Sequence, residues 1–196
     1  MTQGQAEVSW ARHWVAWYGS KDGMKGDKKM NYAIDKTQKH PYLDGMYRLC
    51  KDGVGIGWIG EGAWIGVDAR IGEGAWIDEG AWINKGAEIG EGAVIGKGAV
   101  IGKDAVIGKD ARIGEGAEIK SIYDYLTVGG IGSRKAITTF YRCKDGLIRV
   151  NCGCFNGTLD EFEAAVHETH AGNRHEKAYM AAIRMVKEVM IHDHVD

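Results

Sequence analysis

The run Gly129, Gly130, Ile131, Gly132, Ser133, Arg134, Lys135 concentrates groups that suit an anion. Glycines leave backbone N–H groups accessible, Ser133 offers a hydroxyl, and Arg134 presents a planar fork of donors, a set that recognises phosphate. Tyr141, a few residues on, or a tryptophan supplies a ring for stacking. The expected ligand site is therefore Gly132, Ser133, Arg134, Lys135 and Tyr141, and its expected ligand is a phosphorylated small molecule. The same run also reads as a tight polar turn between two parts of the chain, with Arg134 and Lys135 solvated.

Cys143, Cys152 and Cys154, together with His167 or His170, make a second candidate set, a tetrahedral zinc site. The C-x-C spacing lacks the two-residue turn usual between paired zinc ligands. In a strand, Cys152 and Cys154 would share one face and suit an apolar core. The expectation is no metal and no bound cofactor. His167 and His170 stand three apart on a predicted helix, near His175, and a partly exposed helix edge accounts for them equally well. The other histidines, His13, His40, His192 and His194, also lie outside residues 53–120, a segment with no histidine at all.

Composition narrows the function classes. The net charge of −2 over 196 residues argues against a general nucleic-acid binder, which needs a clustered positive field. No apolar run approaches the roughly 20 residues of a membrane span, and the first residues carry Gln, Glu and Ser where a signal peptide would be basic and then hydrophobic. A cytoplasmic protein is expected. Four cysteines are too few for a disulfide scaffold, so they are read as reduced thiols.

The elements that must position these residues are set by a repeat. Isoleucine recurs at 59, 65, 71, 77, 83, 89, 95, 101, 107, 113 and 119 without interruption. A period of six fits neither a 3.6-residue helix nor a simple strand, and marks a repeat architecture. From Ala63 to Ala117 an alanine stands two before each isoleucine, so a small and a branched apolar residue face inward together. The residue before each alanine is Gly or Asp, from Gly62 through Asp68 to Gly116. Both types tolerate positive φ, and three such bends per circuit close the path into a triangular coil.

Stacking positions eighteen apart then predicts three outer faces. One carries Trp58, Trp76, Val94 and Arg112, the next Trp64, Trp82, Val100 and Glu118, the third Arg70, Glu88 and Val106. Bare solvent is an odd neighbour for Trp58, Trp64, Trp76 and Trp82. These stripes are expected to pack against other subunits or the chain's own N-terminal segment, or else to form a stacking platform for a ligand.

The segments IGEGAV, IGKGAV and IGKDAV resemble the hexapeptide repeat of the left-handed parallel β-helix superfamily, over about a third of the chain. The resemblance implies a left-handed coil, the reverse of the usual crossover preference, and a homotrimer with its coils side by side. It also implies acyl transfer from coenzyme A or acyl carrier protein, with a histidine in or beside the coils as general base. The coils here have no histidine and no inserted loop, so a flanking arm carrying His13 or His40 would have to provide the base.

Residues 7–18, EVSWARHWVAWY, place Trp10, Trp14 and Trp17 on one side of a short predicted helix. Residues 19–39 read as a loop or arm in which Tyr32 and Ile34 are possible anchors, and Pro41 marks a turn. Residues 136–142 and 147–152 predict a hairpin turning at Lys144, Asp145 and Gly146. Thr158 with Glu161, and Asn173 with Glu176, open two helices, buried through Leu159, Phe162 and Val166 and through Tyr179, Ile183, Val186 and Met190. The expected fold is mainly β: residues 1–52 a helix and arm, 53–120 the coil, and 121–196 a ββαα module capping it.

The C-terminal stretch is similar to modules of uncharacterised hexapeptide-repeat proteins of bacteria and their phages. The resemblance rests on Gly132, Ser133 and Arg134, on Cys152, Gly153, Cys154 and Phe155, and on the run from Gly157 to Phe162; it implies a phage or prophage source. The leading functional expectation is a non-catalytic trimeric binding protein that sequesters a phosphorylated small molecule or blocks a host protein. The alternatives are a coenzyme A-dependent acyltransferase and a structural spacer.

Overall fold

The computed structural model describes residues 32–132 and 135–191. The predicted helix at 7–18, Ser133, Arg134, His192 and His194 lie outside the described residues.

The six-residue period becomes a parallel β-solenoid. Its first face stacks β3 (Val54–Gly60), β6 (Trp76–Ile77), β9 (Val94–Ile95) and β12 (Arg112–Ile113). The second stacks β4 (Trp64–Ile65), β7 (Trp82–Ile83), β10 (Val100–Ile101) and β13 (Glu118–Ile119). The third holds β5 (Arg70–Ile71), β8 (Glu88–Ile89) and β11 (Val106–Ile107). Registers such as Trp58↔Trp76 and Trp64↔Trp82 run parallel with the eighteen-residue offset read from the sequence. Every Gly or Asp bend position from Gly62 to Gly116 has positive φ. Isoleucine and alanine fill the interior: Ile59 and every alanine and isoleucine of the repeat from Ala69 to Ile119 are buried, and Ala63 and Ile65 are half-buried. Outside, charges also stack by rung: Arg70 pairs with Glu88, Lys97 with Glu79 and Lys109 with Glu91, at 2.6, 2.9 and 2.9 Å.

The upper rim departs from the expected loop. β1 (Tyr32–Lys39) and β2 (Met46–Lys51) add antiparallel strands above β3 on the first face. β2 and β3 are joined by Asp52 and Gly53, both at positive φ, which is the backbone of a type I′ hairpin turn. An alternating strand among lysines and glycines is a weak signal, whereas pairing to a ready-made sheet edge makes β1 and β2 worthwhile. Tyr32 closes the third face, its hydroxyl accepting the Ile71 N–H at 2.7 Å.

The lower end is sealed by a sheet. β14 (Tyr125–Val128), β15 (Thr138–Arg142), β16 (Ile148–Cys152) and β17 (Phe155–Thr158) run antiparallel in sequence order, so the expected hairpin is the centre of a four-stranded sheet. Side-chain alternation divides β15 between two cores. Phe140 faces α1 (Leu159–His170) and α2 (Arg174–Val186), while Tyr141 and, just beyond the strand, Cys143 enter the core of the coil. A Cβ at Gly114 would collide with the Tyr141 hydroxyl, so the last rung needs glycine there. Nearby, Gly108 N–H donates to the Tyr125 hydroxyl at 2.8 Å and Arg112 N–H to Thr139 Oγ1 at 3.2 Å.

The helices follow their caps and stripes. Thr158 and Glu161 form a reciprocal capping box, and Leu159, Phe162 and Val166 are buried. Asn173 accepts from the N–H groups of His175 and Glu176, with Tyr179, Ile183, Val186 and Met190 buried below. The module is bolted to the coil exit by Asp124, which is 3% exposed and accepts from Arg142 Nε at 2.8 Å. Burial alone would raise the Asp124 carboxyl, but Arg142 and the N–H groups of Lys120 and Ser121 outweigh it and hold the group below its ordinary value. Among the described residues no helix is long and apolar enough to cross a membrane.

Candidate functional site

His40 follows β1 and is the described histidine that the fold lays on the coil. Its N–H donates to the Met46 carbonyl at 2.9 Å, which fixes the backbone. The ring stands edge-on to Trp58 at 4.8 Å and to Trp76 at 5.1 Å, with Tyr42 at 6.1 Å. The Arg48 guanidinium lies 5.1 Å from the Trp58 ring. Trp58 and Trp76 on the first face are therefore half-buried beside His40 and Arg48. His40 Nδ1 accepts the Tyr42 N–H at 3.3 Å, so the neutral ring carries its proton on Nε2 and can donate from there.

On the second face Trp64 and Trp82 are 41% and 54% exposed, with ring centroids 5.7 Å apart. This stripe has no cover among the described residues comparable to that of His40 on the first face.

A second histidine group sits where α1 turns into α2. His167 Nδ1 is 2.7 Å from Glu176 Oε1, and Glu176 Oε2 accepts the Gly172 N–H at 2.6 Å. The Gly172 N–H and then His167 hold the Glu176 carboxyl below its usual range. A carboxylate on Nδ1 fixes the ring with its Nε2 lone pair free, the tautomer of a general base. His170 stacks on Tyr179 at 5.7 Å and lies 5.7 Å from His175. Sequence reading treated Glu176 as a helix cap. Its pairing with His167, nine residues back across a turn, had no signal short of folding the two helices together.

The predicted anion site is partly dispersed. Ser133 and Arg134 lie outside the described residues. Gly132 is buried at positive φ against the Tyr179 hydroxyl, and Lys135 is exposed. Tyr141 is 1% exposed inside the coil core and cannot stack on a ligand. Burial pushes its hydroxyl up to about 12. The cysteines also differ from expectation. The chain turns at Gly153, so Cys152 ends β16 near Tyr179 while Cys154 is exposed, and the two do not share a strand face. Among the described residues no three His, Cys, Asp or Glu side chains are grouped to hold a metal ion.

Comparison with known families adds one finding. Residues 68–105 and 86–121 match the bacterial transferase hexapeptide (six repeats) family. The matched span is the coil below its first circuit, under a third of the chain. No curated protein and no solved structure matches the chain. The family match corrects the expectation of a non-catalytic binding protein. That expectation leaned on the lack of histidine in residues 53–120, and the fold removes its physical basis: His40, from outside the repeat, is carried onto the coil surface.

Proposed function

We propose that the protein is an acyltransferase that takes its acyl group from a coenzyme A thioester, working as a homotrimer with a left-handed coil. The observation that carries this reading is the match of the coil to a family of transferases. An acceptor amine attacks the thioester carbonyl, the C–S bond breaks, and the acceptor's proton leaves with the coenzyme A thiol. His40 donates its Nε2–H to the carbonyl oxygen as negative charge develops there, a role that its Nδ1 contact with Tyr42 prepares. Arg134, Lys135 and Ser133 take the phosphates of coenzyme A, so Arg134→Ala should weaken its binding roughly ten- to hundred-fold in calorimetry.

The test is release of free thiol from acetyl-coenzyme A with a panel of amines. His40→Ala should lower kcat/KM by about 10² to 10³, and His40→Gln, which keeps an N–H donor, should recover part of the loss. A parent protein that releases no thiol with any acceptor sinks the enzyme reading. A fully active His40→Ala removes His40 alone. The His167–Glu176 pair supports a second assignment within the same reaction, with His167 Nε2 as general base; Glu176→Gln would then lower kcat.

A further inference from the structure

We infer that the face carrying His40, Trp58 and Trp76 takes a small molecule with a carboxylate group, and that Arg48 holds that carboxylate. Under the acyltransferase reading, on which this second step rests, the molecule is the acceptor, an amine of the amino-acid class.

A column of side chains defines the place. Asp35, Arg48, Trp58 and Trp76 stand in register across β1, β2, β3 and β6. An aspartate directly across a strand pair from an arginine is its natural partner. Here the carboxylate turns away: Asp35 Oδ1 accepts the Thr37 N–H at 2.9 Å and the Thr37 hydroxyl at 2.6 Å, and Oδ2 accepts from Gln38 Nε2 at 2.8 Å. Of the half-buried arginines, Arg142 pairs with Asp124 and Arg149 with Asp145, whereas Arg48 has no carboxylate partner among the described residues.

The Arg48 guanidinium is nevertheless fixed. Its Nη2 donates to the Gly55 carbonyl at 3.1 Å, it lies 5.1 Å from the Trp58 ring, and its Nε occupies the space that a Cβ at Gly55 would need. The other N–H groups of the fork make no hydrogen bond among the described residues, and their geometry suits a planar carboxylate taken by two parallel bonds. His40 stands against the same Trp58 ring, 4.8 Å away, and against Trp76. One small molecule therefore spans both, its carboxylate on Arg48, its carbon atoms along the indoles and its amine beside His40.

Charge favours a carboxylate over a phosphate. The hydrogen bonds from Thr37 and then Gln38 hold the Asp35 carboxyl below its ordinary value, so it stays charged across from Arg48. A singly charged carboxylate balances the guanidinium, whereas a doubly charged phosphate beside Asp35 leaves an excess of negative charge.

Calorimetry on the full-length chain, with free amino acids each set against its amide, isolates the charge from the rest of the molecule. The parent should bind the best acid roughly ten- to hundred-fold more tightly than its amide. Arg48→Met should abolish that preference, and Arg48→Lys, which keeps the charge and loses the fork, should retain part of it. Protection of the mid-coil Ile101 amide reports that each variant is folded. In thiol release, Arg48→Met should raise KM for the acid acceptor by roughly ten-fold or more, with a smaller change in kcat. Equal binding of acid and amide by the parent, or a preference that survives both substitutions, overturns the inference. So does an Arg48→Met effect that falls on KM for acetyl-coenzyme A, since a phosphate would then be the anion. Acid binding through Arg48 in a protein that releases no thiol upholds the carboxylate site and sinks the acyltransferase reading; thiol release with no preference for acids does the reverse.

Discussion

In the coil each buried isoleucine meets its copies eighteen residues away, whereas in the C-terminal module Phe140 packs on Phe162, and Phe162 on Tyr179, residues from a strand and two helices. The coil is thus a stack of nearly identical layers in which every layer contacts its neighbours. The module is a single irregular core that exists only when all its elements are assembled. Strength in the first is distributed, and in the second it is concentrated at a few joints. The sharpest joint is Asp124 with Arg142, because that pair ties the coil exit to β15 and, through a hydrogen bond from Arg142 to the Met190 carbonyl, to the end of the last helix.

The largest expected effect follows from that joint. Asp124→Ala leaves the largely buried Arg142 guanidinium without its carboxylate and should cost about 3 kcal/mol in urea unfolding. The loss should appear first in the module, with exchange accelerated at Val150 and Ile183 and protection retained at Ile101. Simultaneous loss at all three amides would erase the distinction between the two regions. Ile101→Ala, in the middle of the stack, should cost about 2 to 5 kcal/mol. Ile65→Ala, on the half-buried rung, should cost clearly less. Equal costs would mean that the upper rim is as well packed as the middle.

Acid and alkali should separate the regions as well. The folded Asp124 carboxyl is depressed, so its contribution is present above the unfolded value of about 3.9 and is lost as pH falls through the folded value. Thermal melts should fall steeply below about pH 4, and Asp124→Asn, already weakened, should show a flatter slope there. Tyr141 has the opposite sign. Its hydroxyl is raised to about 12, so its contribution is intact below the unfolded value of about 10 and disappears as pH rises through the folded one. Ultraviolet titration of the parent against Tyr141→Phe would read this alkaline step, and its absence would place Tyr141 in water instead of the coil core. The smallest effect belongs to the rung-to-rung ion pairs. Lys97→Met, whose partner Glu79 is also exposed, should leave the melting temperature within error at 0.15 M salt.

Legibility followed the range of the interactions. The coil could be read because its contacts recur at a fixed offset: Ile59 to Ile119, the alanines, and the Gly or Asp bends each announce the same geometry many times. The helices could be read because Thr158, Glu161 and Asn173 act within one turn. β1, β2, β14 and β17 had no signal of their own because each acquires its conformation from a neighbouring edge. The candidate site fared worse than the fold. Tyr141 looked available from its position near a basic run, yet strand alternation turns it into the coil, away from Phe140 on the opposite face.

The amino-acid sequence by itself determined a triangular coil with eighteen residues per circuit, its inward and outward faces, and the two capped helices, since periodicity and capping are local properties. Only the tertiary structure decided that His40 rests between Trp58 and Trp76, that Glu176 holds His167, and that Arg142 reaches Asp124. Each of these joins residues from different elements with no repeating interval between them, so the distance that matters exists only after the chain has closed on itself.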